Sequence, residues 1–171
     1  MRRRVPYAAL ALGIVVVDQL TKRIVDRLME VHESRSIIDG VLALTYVRNR
    51  GAAFGILSDA DLPYQSLLFA VVSLLALGAI VGYSWKLPLE SRLPQSALAL
   101  ITGGAIGNLV DRAWLGYVVD FVDVYWRTHH WPMFNVADSA ITVGVGLLIL
   151  DILRSPGESP AAEMEAVRGT E

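Results

Sequence analysis

Apolar residues fall along this chain in long runs rather than at a spaced period. Residues 67–85, LLFAVVSLLALGAIVGYSW, hold no charge, and residues 139–150, SAITVGVGLLIL, are nearly as uniform. A helix that is apolar on every side belongs in a large core or a bilayer, and a span needs about 20 such residues. Two further stretches reach that length only with polar residues inside: 7–25 with Asp18 and Lys22, and 95–114 with Asn108, Asp111 and Arg112. A fourth, 136–153, opens on Asp138. The pattern predicts a mainly α membrane protein with four transmembrane helices. In GVLALTYVRNRGAAFGIL (40–57), β-branched and aromatic residues alternate with others, as in a short strand or hairpin. It predicts a small β region near the membrane surface, between spans one and two. Residues 1–154 read as one membrane domain. Residues 155–171, rich in Pro, Gly, Ser and Glu, read as a disordered cytoplasmic tail.

Composition agrees with a membrane setting. The chain has 171 residues, 54% hydrophobic and 19% charged, against about 25% charged in soluble domains. Mean hydropathy is +0.47. A net charge of −2 gives no reason to expect nucleic acid as a partner, and the absence of cysteine removes disulfides and thiol nucleophiles. The start, MRRRVPYAALALGIVVV, resembles a secretory signal, but its apolar run passes into DQLTKRIVDRL without a small-residue cleavage site. It reads as an uncleaved first span.

Basic residues orient the chain. Arg2, Arg3 and Arg4 precede span one, Lys86 and Arg92 flank the short link after span two, and Arg154 follows span four. The positive-inside rule then places both termini in the cytoplasm and the links 28–64 and 115–135 outside. At 1.5 Å per residue, Asp18 lies about 16 Å along span one and Asp111 about 24 Å along span three, while Asp138 opens an inward helix. The buried-looking charges therefore gather at the outer ends of the helices.

Ionisable groups at such depths are functional candidates by default. Asp18 and Lys22, four apart, can simply pair with each other. Asn108, Asp111 and Arg112 share a helix face, and Gly103, Gly104 and Gly107 nearby suit close helix packing. Asn135 and Asp138 also suit the start of a helix, as cap and first-turn acid. Asp120 sits among Val118, Val119 and Phe121, and by the same test Asp123 looks the less buried of the two. His129–His130 reads as an interfacial polar pair. With isolated His32 it makes no metal-binding spacing, and no phosphate loop or nucleophile elbow is present. No metal or cofactor is expected. What remains is a pair of carboxylates. Held together in a low-dielectric site, one keeps its proton while the other loses it, so the two can activate water and protonate a carbonyl. The same acids could serve as the proton relay of a small proton-coupled transporter subunit, although no internal repeat is visible.

With these residues identified, the chain resembles the lipoprotein signal peptidase family, also called signal peptidase II, over residues 7–153. The motifs are DQLTK (18–22), NRGAAFG (49–55), GNLVDR (107–112), VVDF (118–121) and FNVAD (134–138), in order among four spans. The resemblance implies an aspartyl endopeptidase of the bacterial inner membrane, with its active site near the outer face. Such enzymes remove signal peptides from prolipoproteins, cutting before a diacylglyceryl-modified cysteine. It implies Asp120 and Asp138 as catalytic, Asn49, Asn108, Arg112 and Asn135 as substrate-binding or supporting, and structural roles for Asp18, Lys22 and Asp111. It also implies that residues 28–64 form a small extracytoplasmic β and lid region between spans one and two, and that lipidated prolipoproteins and membrane lipid are the partners of a monomeric enzyme.

Overall fold

The computed structural model describes residues 4–51 and 64–154. The expected tail at 155–171 and the part of the lid region over 52–63 lie outside these described residues. Four long helices carry the fold: α1 (Val5–Leu28), α2 (Gln65–Lys86), α3 (Arg92–Leu115) and α4 (Val136–Arg154). Pro6 sits in the first turn of α1, where its missing N–H has no helical partner to lose. α3 ends where Gly116 turns left-handed, at φ +78°, and returns its N–H to the Arg112 carbonyl at 3.2 Å.

α2, α3 and α4 are each long and apolar enough to cross a membrane. α1 is as long as α3, at 24 residues. Its second half carries Asp18, Lys22, Arg23, Asp26 and Arg27, which dilutes its apolar run. α3 is the hub, with α1, α2 and α4 packed around it. Its small residues set the distances. A Cβ on Gly104 would strike the Ala137 carbonyl of α4, and one on Gly107 would strike the Asp18 carboxylate of α1. α2 lies outermost, and its most apolar stretch has no residue buried within the protein.

The β region is larger than expected. The strands are β1 (Ser34–Ile38), β2 (Leu42–Asn49), β3 (Val118–Trp126) and β4 (His129–His130), paired antiparallel in the order β1-β2-β3-β4. Half of it comes from the link between α3 and α4, not only from the segment between α1 and α2. VVDFVDVYW is too rich in β-branched and aromatic residues to remain a loop. Val119 and Phe121 pack with Tyr46, Val25 and Met29, which seats the sheet on the end of α1. Strand alternation then directs Asp120 away from that cluster.

Candidate active site

Asp120 is 2% exposed in the middle of β3. Its two carboxylate oxygens accept from different side-chain amides: Oδ2 from Asn49 Nδ2 at 2.9 Å, and Oδ1 from Asn135 Nδ2 at 2.7 Å. The register Asn49↔Val118 and Val47↔Asp120 puts Asn49 diagonally beside Asp120 on one face of the sheet.

Asn135 also organises the second acid. Its Oδ1 accepts the Asp138 N–H at 2.9 Å, and the Asp138 carboxylate accepts the Asn135 N–H at 3.3 Å. This reciprocal pair is a capping box at the start of α4. The helix-start reading and the candidate active-site reading of these residues therefore describe one arrangement. The other Asp138 oxygen, Oδ1, accepts Asn108 Nδ2 at 2.8 Å. All four oxygens of the two carboxylates thus have a nitrogen donor, and Asn135 touches both acids. Burial pushes the Asp120 carboxyl up to about 7, and the nearby Asp138 charge adds to the rise, while the Asn49 and Asn135 hydrogen bonds oppose it. A carboxyl raised this far beside a second acid suits a pair that shares one proton.

Arg112 reaches the rim of the site. It donates to the Gly51 carbonyl at 3.0 Å, and its Nε is buried with no partner among the described residues. Asp18, Lys22 and Asp111 converge just behind the acids. Lys22 Nζ lies 2.8 Å from Asp18 and 3.0 Å from Asp111, with the three side chains 2%, 0% and 3% exposed. The expected Asp18–Lys22 pair forms, but at a junction of α1, α3, β3 and α4 rather than at a wet interface. Asp18 accepts the Ala137 N–H at 2.9 Å, and Asp111 accepts the Val119 N–H at 3.1 Å.

The structure corrects one expectation. Asp123 is 3% exposed, as buried as Asp120. Its surroundings differ: it accepts the Thr45 hydroxyl at 3.1 Å and pairs with His130 Nδ1 at 2.8 Å. Apolar sequence neighbours indicate burial for both acids but not which of them faces a second carboxylate. Sequence reasoning also missed Gln19, which donates to Asp111 at 2.8 Å and to the Gly107 carbonyl at 3.1 Å. It missed the Gly51 N–H as well, which holds Asn49 Oδ1 at 2.8 Å. Both lie inside motifs already noted, DQLTK and NRGAAFG, and their polar or small character in an apolar setting was the available signal.

A family model described as Signal peptidase (SPase) II matches residues 10–154. The chain belongs to the signal peptidase II family. It is 53% identical over 148 residues to a lipoprotein signal peptidase of Geobacter sulfurreducens, covering 86% of this chain and 91% of that protein. To one of Halalkalibacterium halodurans it is 49% identical over 148 residues, covering 86% and 92%. A bacterial membrane enzyme solved by the in meso method superposes with a TM-score of 0.80 at 34% identity, covering 90% of this chain and 91% of that one. The family resemblance expected from the motifs is met. Signal peptidase II membership makes the chain a membrane-embedded protease, and the transporter alternative finds no support.

Proposed function

We propose that this signal peptidase II member is an aspartyl endopeptidase that removes signal peptides from bacterial prolipoproteins, with Asp120 and Asp138 as its catalytic pair. The observation that carries this reading is the pair itself: two carboxylates from β3 and α4, bridged by Asn135 and supplied with donors on every oxygen. One aspartate takes a proton from the attacking water. The other donates to the peptide carbonyl, and the pair then passes a proton to the leaving amine. Arg112, with a buried Nε free of partners among the described residues, and Asn49 hold the peptide backbone or lipid ester oxygens beside the acids. Asn108 and Asn135, together with the Asn49 NH₂ that bonds Asp120, hold the acids themselves.

The acids lie where the sheet meets the helix ends. In the proposed topology α1 is the first of four spans, both termini are cytoplasmic, and the sheet is at the outer face of the inner membrane. A diacylglyceryl anchor would bring the scissile bond to that depth, and this placement lowers the entropy cost of aligning it with the two acids. The test incubates the purified chain with matched precursors, with and without the diacylglyceryl group, in one detergent. Signal-peptide release from the lipidated precursor is expected, with a loss of roughly 100-fold or more without the lipid. Comparable cleavage of both would point to a general membrane aspartyl peptidase.

A further inference from the structure

Three asparagines present their NH₂ groups to the two carboxylates, and an amide can do so only if its oxygen is turned away. For two of them a backbone N–H turns it. The Gly51 N–H holds Asn49 Oδ1 at 2.8 Å, and the Asp138 N–H holds Asn135 Oδ1 at 2.9 Å. The third has a different partner: Asn108 Oδ1 faces Lys22 Nζ at 2.8 Å. An ammonium has three donors and no acceptor. The Asn108 atom facing it must be the oxygen, so the nitrogen must face Asp138 Oδ1, 2.8 Å away. The Asn135 amide, itself fixed by the Asp138 N–H, also donates to Asn108 Oδ1, but at 3.2 Å, so Lys22 is the closer of two donors on this oxygen and the charged one.

We infer that Lys22 is a positioning residue for the cleavage reaction: held by Asp18 and Asp111, it locks the Asn108 amide so that Asn108 always donates to Asp138. The inference rests on the proposed aspartyl mechanism and adds a residue that itself touches neither acid. The two partners of Lys22 account for its fixed position. Asp18 comes from the same helix and Asp111 from α3, and both are buried. Gln19 occupies the second Asp111 oxygen at 2.8 Å, which leaves Oδ2 for Lys22 and the Val119 N–H. Lys22 also acts through its charge. It draws the Asp120 carboxyl back down against the burial and the Asp138 charge that raise it. Among the described residues, the charged groups around the two acids are Lys22 and Asp18 on α1, Asp111 and Arg112 on α3, and the acids themselves on β3 and α4. Lys22 is the cation among them that is bonded to the network holding the acids, whereas Arg112 bonds the Gly51 carbonyl.

The test is a double-mutant cycle on the full chain, with cleavage of a lipidated precursor measured across pH. Lys22→Met should lower kcat roughly 10- to 100-fold with KM nearly unchanged, because a misplacement of about 1 Å can cost about 100-fold. Asn108→Ala should lower it comparably. The double variant should be no worse than the worse single, because coupled residues do not add. Lys22→Gln still offers an NH₂ to Asn108 Oδ1, so it should keep most of kcat while the acid limb of its pH profile moves to higher pH. Losses that multiply in the double variant would overturn the inference. So would a Lys22→Met enzyme that loses thermal stability but keeps the wild-type kcat and pH profile per folded molecule. If the Met variant does not fold, Lys22→Gln decides alone, and an unmoved acid limb overturns the inference. Failure of the aspartyl reading is distinguishable: there, Asp120→Asn and Asp138→Asn would themselves remain active.

Discussion

At the scale of residues, two acids three positions apart in β3 have almost equal burial and different uses. Asp120 meets asparagine amides and the charge of Asp138, whereas Asp123 meets Thr45 and His130. Asp120→Asn and Asp138→Asn should abolish cleavage with protein level and insertion unchanged, since the amide keeps the shape and loses the proton. Asp123→Asn should retain most activity, because the amide oxygen can still accept from Thr45. Cleavage assays with quantified membrane protein check all three, and equal loss at Asp120 and Asp123 would undo the assignment. The Asp120 carboxyl should titrate near 7 and should titrate lower in Asp138→Asn, where a neighbouring negative charge is gone. Carboxyl-labelled NMR follows this directly. The sign for stability follows from linkage. The folded state binds this proton more tightly than the unfolded one, so the contribution is present in full at acid pH and is lost as pH rises from about 4 to about 7. The candidate acids were legible in the sequence because carboxylates in apolar stretches need a reason. The family motifs also pointed to Asn49, Asn108 and Asn135 as supporting residues, but which carboxylate oxygen each amide holds was not legible, because Asn49 and Asn108 reach the acids only through the fold.

At the scale of elements, the active site depends on how closely α3 meets α4 and α1. The Asn108–Asp138 bond crosses the α3–α4 contact, and Gly104 keeps that contact tight against the Ala137 carbonyl. Gly104→Ala should therefore destabilise the protein by about 1–3 kcal/mol, the usual cost of overpacking, and lower kcat as well. A control substitution Gly146→Ala, with open space around its Cβ, should do neither. Thermal unfolding in detergent and cleavage rates measure the two effects together. The helices were legible from their apolar runs, and 136–153 and 95–114 match α4 and α3 closely. The extent of the sheet was not. A half-buried strand such as VVDFVDVYW shows its partner only when β2 is beside it, and sequence spacing cannot supply a pairing between residues about 75 positions apart.

At the scale of the whole molecule, the helices that meet the requirement for a span lie beside a sheet-capped end that holds every buried charge of the site. The proposed topology makes that end the outer one. The absence of cysteine gives a clean way to check it. A single Asp39→Cys, between β1 and β2, should react with a membrane-impermeant maleimide in intact cells. Glu90→Cys, between α2 and α3, should react only after the membrane is opened. The reverse result would invert the topology.

The buried Asp18–Lys22–Asp111 cluster has a consequence for how the chain is made. Asn108, the α3 partner of Lys22, lies 86 residues further along. At a synthesis rate of about 5–20 residues per second, α1 waits roughly 4 to 17 seconds before its α3 partners leave the ribosome. During that interval Asn108 and Asp111 are absent, and the partner of Lys22 on its own helix is Asp18, 2.8 Å away in the folded chain. In the proposed topology, their i, i+4 spacing would let the newborn helix pair its own charges until α3 arrives, so the pair would serve insertion first and the finished site afterwards.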